Sequence, residues 1–297
     1  MTSRAWLAFA AISLLWGIPY LFIKIAVDGG LPPLLLAWGR IALAAAVLLA
    51  IASRAGTLAP LRGRGRWLAA YAIAELAIPF PMLGLGEERV ASSTAAIVIA
   101  TAPLIVAVLA LRFEPAERLG GRRLAGLLVG LGGVAALVGI DVAGSARELA
   151  GVACVFVAAC GYAIGPMVLK RHLAHLDPIA SMGACLAIAG VVLAPLAAAA
   201  IPSADPSGGA LASVAVLGLL CTALALVLMA ILVDEAGPGR ALVIAYVNPV
   251  IAVALGVAFL GEEPGAGAIV GLAAILVGSW LATRGAPAAA PEPLSPR

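Results

Sequence analysis

Three charged residues stand inside long apolar stretches: Glu75 between Trp67 and Gly86, Arg40 between Pro33 and Ala52, and Lys24 between Trp6 and Val27. A charge held in hydrocarbon costs at least about 2.5 kcal/mol, so each needs a partner, a path of water or a function. At about 1.5 Å of rise per residue, Arg40 and Glu75 differ in depth by roughly 6 Å, a gap both side chains can bridge. Two readings stay open. An Arg40–Glu75 ion pair would lock two neighbouring helices, since buried charges are usually paired. Alternatively, one of the two faces a cavity and binds a carboxylate or an ammonium group. Lys24 lies at the end of its stretch, where it either reaches the interface or takes part in a gate.

The same apolar stretches hold aromatic and small polar residues: Trp16, Tyr20, Tyr71, Thr94, Thr101, Tyr162, Thr222, Tyr246 and Asn248. Aromatic rings combine apolar area with one hydrogen-bonding end. A cavity made of such groups suits a neutral or aromatic zwitterion, although each of them also serves helix packing or an interfacial belt. Trp38 and Trp67 read as belt residues. Pro103 and Pro249 sit within apolar stretches, where each removes a backbone donor and bends its helix.

Other chemistry is missing. No GxxxxGK[ST] run is present for nucleotide, and no HExxH or Cys/His set for a metal. Cys154, Cys160, Cys185 and Cys221 all fall in apolar runs and read as small packing residues. His172 and His175 are three apart in a polar connection and read as solvated. The expectation is a protein without cofactor, metal or catalytic residues, and not an enzyme.

The elements that must position these residues follow from composition. The chain is 64% hydrophobic and 11% charged, with mean hydropathy +1.14. A soluble domain carries about 25% charged residues. Polar residues punctuate apolar runs of about twenty, the length a helix needs to cross roughly 30 Å of hydrocarbon. The runs are too long and too uniformly apolar for barrel strands. Ten spans are predicted, at 6–27, 33–52, 67–86, 91–111, 123–141, 149–169, 178–200, 211–233, 240–260 and 266–283. Fourteen of the eighteen Lys and Arg residues fall on the side of the N-terminus, and only Arg89 and Arg147 on the other. Positive charge marks the cytoplasmic side, so both termini are predicted in the cytoplasm of a bacterial inner-membrane protein. The expected surroundings are the lipid bilayer and a small-molecule substrate, with no nucleic acid, as a monomer or a homodimer.

The chain also repeats. Shifted by 146 residues, Lys24 falls on Lys170, Trp16 on Tyr162, Pro32 on Pro178, Glu88 on Asp234, Pro103 on Pro249 and Phe113 on Phe259. After a one-residue gap Glu117 falls on Glu262, Gly126 on Gly271 and Gly133 on Gly278. Each unit holds five spans, an odd number, so the second must be inverted. Inverted repeats are a recurring architecture of secondary transporters, with the substrate site near the midplane between them. Residues 1–141 and 142–284 are predicted as the two units and 285–297 as a disordered tail.

The residues resemble a known family. Leu14-Leu15-Trp16-Gly17 followed by Lys24, Pro32 and Arg40 is similar to the opening of EamA-type members of the drug/metabolite transporter (DMT) superfamily. Ala91 to Glu117, with Ala95-Ala96 and Ala102-Pro103, resembles the end of the first EamA unit. Ala241 to Trp280, with Asn248-Pro249-Val250, Leu260-Gly261-Glu262 and Gly271, resembles the end of the second. Phe113-Glu114-Pro115 departs from the usual Leu-Gly-Glu, which leaves open whether Glu114 or Glu117 is the family acid. The resemblance implies an all-helical, basket-like fold with a central cavity lined by spans 1, 3, 4, 6, 8 and 9. It places the nine aromatic and polar residues above, with Glu75, as substrate-binding candidates; Lys24, Arg40, Pro103 and Pro249 are structural or gating candidates. It further implies export of metabolites by alternating access, most similar to bacterial exporters of neutral and aromatic amino acids of the YddG kind. Efflux of nucleobases, sugars or drugs, and a non-transporting scaffold, are the alternatives.

Overall fold

The structure is a computed structural model describing residues 2–113, 121–142, 144–236 and 243–283. Glu114, Glu117 and the tail lie outside these residues. The described chain forms ten long helices: α1 (Ser3–Asp28), α2 (Pro33–Ala55), α3 (Gly65–Glu87), α4 (Ser92–Ile99 and Ala102–Phe113), α5 (Gly121–Ala136, extended by Leu137–Val142), α6 (Ala146–Leu173), α7 (Pro178–Ala199), α8 (Gly208–Ala236), α9 (Ile244–Leu260) and α10 (Ala266–Thr283). They match the ten predicted spans. Even α9, at 17 residues, is about 26 Å long, close to the thickness of hydrocarbon.

Sequence fixes where the helices begin and bend. Thr2, Ser145, Asp177 and Ser207 each accept a hydrogen bond from the backbone amide three residues on, satisfying a donor that the first turn leaves free. Gly56 and Gly261 close α2 and α9 at φ 70° and 65°, where a side chain would be strained. Pro19 bends α1 at Ile18. Pro103 follows the break in α4, where the Thr101 hydroxyl donates to the Val98 carbonyl at 2.7 Å. Its repeat partner Pro249 lies inside an unbroken α9. The two prolines therefore differ in setting: α4 is interrupted just before Pro103, whereas the helix is continuous through Pro249.

The inverted repeat is visible where α5 meets α10. A Cβ on Gly133 would fall 2.8 Å from the Gly271 carbonyl, and one on Gly271 would fall 2.8 Å from the Gly133 carbonyl. A Cβ on Gly126 would lie 2.6 Å from the Gly278 carbonyl, and one on Gly278 would lie 2.5 Å from the Gly126 carbonyl. The repeat exchanges Gly126 with Gly271 and Gly133 with Gly278, so it maps one contact onto the other, as a two-fold axis through the seam requires. Small residues allow such backbone approach where lipid supplies no hydrophobic drive between helices.

Contacts between connections sort the helix ends into two sets. At the end where α1 begins, Arg4 pairs with Glu235 at 3.3 Å, the Thr57 hydroxyl donates to Asp177 at 3.5 Å, and the Trp67 ring stacks on His172 at 3.4 Å. At the far end, the Ser207 amide donates to the Gly29 carbonyl at 2.9 Å, Arg147 donates to the Glu88 carbonyl at 2.8 Å, and carboxylates of Glu262 and Asp141 cap α4 and α10. Every helix therefore runs from one set to the other. The core is divided as well. One cluster, from Tyr20 and Leu36 through Leu83, Val155 and Leu217 to Ile275, fills much of the far half. A second, around Leu48 and Leu186, runs along α2 and α7 from Ala37 and Leu193 to Leu68 and Leu173, and two smaller ones lie around Ile12 and Ile244 and around Leu104 and Leu127.

Candidate substrate site

Arg40 is buried on α2. Its Nε donates to the Thr222 hydroxyl of α8 at 2.8 Å, and its guanidinium lies over the Phe80 ring of α3, 4.0 Å from the centroid. The Thr222 hydroxyl in turn donates to the Leu217 carbonyl at 2.8 Å. This bond falls in a stretch of wider turns, Val216–Leu224, in which α8 is π-helical. Of the three other such stretches among the described residues, Leu137–Val142 and Leu169–Leu173 end α5 and α6, and Ala72–Ala77 lies within α3 and holds Glu75. Shifted by 146, residues 72–77 fall on 218–223, inside the first stretch. Each half thus widens its third helix at the same place, and such bulges recur at functional sites because they re-aim a side chain.

Glu75 and Arg40 do not pair. Among the described residues no carboxylate lies within ion-pair distance of Arg40, and Glu75 Oε2 is buried without a hydrogen-bond partner. The ion-pair reading fails because Arg40 points to α8 and Phe80, whereas Glu75 packs on Gly165 of α6. A Cβ on Gly165 would fall 2.8 Å from that of Glu75, so glycine there makes room for the acid. Tyr162 of α6 connects the two: its ring packs against both the far core and the cluster around Leu48, and it lies within electrostatic reach of Arg40 and Glu75. Tyr20 joins it beside Arg40, and Tyr71 lies one turn from Glu75.

The remaining candidates have other neighbours. Trp16 packs with the cluster of Ile12, Leu232 and Ile244. The Asn248 amide, with its nitrogen turned to the carbonyls, donates to Ile244 at 3.1 Å and Ser13 at 3.2 Å, tying α9 to α1. The Tyr246 hydroxyl donates to the Ser279 carbonyl at 3.4 Å. Thr101 bonds within α4 and Thr94 is half-buried there. Lys24 does not reach for the interface alone: its Nζ binds the Glu87 carbonyl at 3.0 Å and Asp28 at 3.0 Å.

Glu87 is the residue that sequence reasoning missed. Span 3 was expected to end at Gly86, which put Glu87 in the charged connection with Glu88 and Arg89. Instead α3 runs through Glu87, whose side chain is 0% exposed. Neither of its carboxyl oxygens has a hydrogen-bond partner among the described residues. The signal was present: Phe80, Leu83 and Glu87 are spaced three and four apart and share one buried helix face. The far rim carries two further carboxylates aimed at backbone. Glu262 accepts from the Ser92 and Ser93 amides at 2.7 and 2.9 Å, and Asp141 from the Gly267 and Ala268 amides at 3.2 and 2.6 Å.

Residues 3–139 and again 149–284 match the EamA-like transporter family. The chain belongs to the EamA-like transporter family. Curated relatives agree. The uncharacterized inner membrane transporter YedA of Escherichia coli strain K12 is 32% identical over 262 residues, 86% of this chain and 82% of YedA. An uncharacterized transporter of Archaeoglobus fulgidus is 24% identical over 95% of this chain and 99% of its own. A solved crystal structure matches with TM-score 0.67 at 23% identity, covering 95% of this chain and 98% of that one, and supports the fold. This EamA-like protein is therefore a multi-pass inner-membrane transporter built from two family units, and its partners are lipid and a small-molecule substrate.

Proposed function

We propose that this EamA-like transporter exports small zwitterions, neutral and aromatic amino acids in particular, by alternating access, with its termini in the cytoplasm. The observation that carries the reading is a buried cation without an acid and a buried acid without a cation, with Tyr162 between them. Arg40 takes the carboxylate, for which a guanidinium is suited. Glu75 takes the ammonium group. Tyr20, Tyr71 and Tyr162 supply apolar area and hydroxyls for the rest of the molecule. Nucleobases and sugars carry no such pair of opposite charges.

Alternating access is supported by the inverted repeat, in which the Gly133–Gly271 and Gly126–Gly278 contacts of the α5–α10 seam exchange with one another. Residues 1–141 and 142–284 are the units that exchange places about the α5–α10 seam. Fourteen of eighteen basic residues on the N-terminal side support a cytoplasmic location for that side.

The test is uptake of radiolabelled phenylalanine and threonine into proteoliposomes. Saturable uptake, competed by other neutral amino acids, is expected. Arg40→Lys and Glu75→Gln should each raise KM about tenfold or more, since a hydrogen bond to a charged group contributes about 1.5–3 kcal/mol. Unchanged uptake in both variants would remove the zwitterion reading.

A further inference from the structure

We infer that Glu87 is a proton-binding site of this transporter, and that each outward passage of substrate is exchanged for one proton carried inward. The inference rests on the transport reading above and adds a coupling ion to it. Its ground is a carboxyl group sealed at the far end of α3, 0% exposed, with no donor to either oxygen among the described residues. A carboxylate sealed this way would be a buried charge without hydrogen bonds, the most costly form of a buried group. In this state of the molecule the neutral acid is the form that fits. Among the described residues no group of three or more His, Cys, Asp and Glu could hold a metal ion, so Glu87 belongs to no such set.

The surroundings provide for the other form. Lys24 and Asp28 of α1, Arg40 of α2 and Glu262 of the connection before α10 all lie within electrostatic reach of Glu87. Tyr20 of α1 and Tyr162 of α6 also lie within its electrostatic reach. The chain continues into Glu88, which Arg89 pairs at 3.5 Å and whose carbonyl takes Arg147 of α6. Lys24 is already held on the Glu87 backbone carbonyl at 3.0 Å while its charge is met by Asp28 at 3.0 Å. A rotation of its long side chain transfers that charge to the Glu87 carboxylate once the acid ionises. Burial itself depends on close packing. A Cβ on Gly86 would fall 3.1 Å from the Gly151 carbonyl of α6, and one on Gly151 would fall 3.1 Å from the Gly86 carbonyl. Separation of α3 from α6 there admits water to Glu87.

The proton balance is simple. With the far end open, water on that side delivers a proton to the Glu87 carboxylate and an O–H bond forms. Closure buries the neutral acid. With the N-terminal side open, the O–H bond breaks, the proton leaves toward that side, and Lys24 balances the carboxylate left behind. Tyr20 and Tyr162 lie within electrostatic reach of Glu87, and Tyr162 also within reach of Glu75 about halfway along α3, so the inward route runs past these groups.

The experiment uses the full chain in two settings. In proteoliposomes loaded with a pH-sensitive dye, entry of radiolabelled phenylalanine should make the lumen alkaline. Glu87→Gln should lower proton flux per phenylalanine at least tenfold while exchange of labelled for unlabelled phenylalanine continues. In nanodiscs without substrate, infrared spectra should show the carbonyl stretch of a protonated carboxyl at neutral pH. In Glu75→Gln, which removes the other buried carboxyl, the stretch should persist, and in the Glu75→Gln, Glu87→Gln double variant it should disappear. Lys24→Met should extend it to higher pH. Phenylalanine transport without proton movement, or with proton flux unchanged in Glu87→Gln, overturns the inference and leaves the transport reading standing. If the folded wild-type protein carries no phenylalanine, the zwitterion reading falls. The infrared band then decides whether Glu87 holds a proton, and its absence overturns the site.

Discussion

The two ends of the bundle are held by different kinds of contact. At the far end, carboxylates of Glu262 and Asp141 bind pairs of backbone amides in the other half of the molecule. At the N-terminal end the contacts between halves are side-chain pairs at the surface, with Arg4 72% exposed. The far end is tied by charge-assisted bonds to backbone donors at helix starts. The other is held by contacts that solvent already weakens.

The strongest way to break this contrast is to remove both carboxylate caps. Glu262→Gln with Asp141→Asn should destabilise the far end by about 1–4 kcal/mol, at roughly 0.5–2 kcal/mol for each cap. Hydrogen exchange in nanodiscs should show lost protection at Ser92, Ser93, Gly267 and Ala268 and little change near Glu235. A milder test is pH. Burial pushes the Glu262 carboxyl up, but the hydrogen bonds from Ser93 and Ser92 outweigh it and hold it below the usual glutamate range. A carboxyl lowered by folding contributes stability above its unfolded value and loses it as pH falls through the folded one. Protection of the Ser92 and Ser93 amides should stay level from neutral pH down through the ordinary glutamate value near 4.3 and then drop. In Glu262→Gln it should be flat. The smallest effect belongs to the N-terminal end. Glu235→Gln should change stability by at most about 1 kcal/mol, and less in high salt. A loss equal to that of the double variant would erase the difference between the ends.

Sequence reasoning reached the ten helices because hydrocarbon demands about twenty apolar residues per crossing, a pattern that survives without knowledge of neighbours. It reached the repeat because Gly126, Gly133, Gly271 and Gly278 are held by backbone contact, where nothing larger fits. It reached Arg40 and Glu75 as charges at depth, but not their separation, because depth along two helices says nothing of the direction around them. Thr222 and Phe80, which hold Arg40, and Gly165, which receives Glu75, are set by rotation and by the widened turns of α3 and α8. Those turns have no composition of their own. Glu87 was hidden for another reason. A boundary placed one residue early turned a buried acid into a surface one, since Glu88 and Arg89 beside it are polar.

A seam that exchanges with itself is a contact that two identical chains could make. Two copies of one five-helix chain, inserted in opposite orientations, would form the α5–α10 contact without any change of sequence. Joining two such genes would fix the pairing and release each copy to drift. The counterparts of Arg40, Glu75 and Glu87, 146 residues on, are Leu186, Cys221 and Val233. The charges belong to one copy alone. The seam obeys the two-fold axis and the buried charges do not, so symmetry holds the architecture while the charges stand outside it.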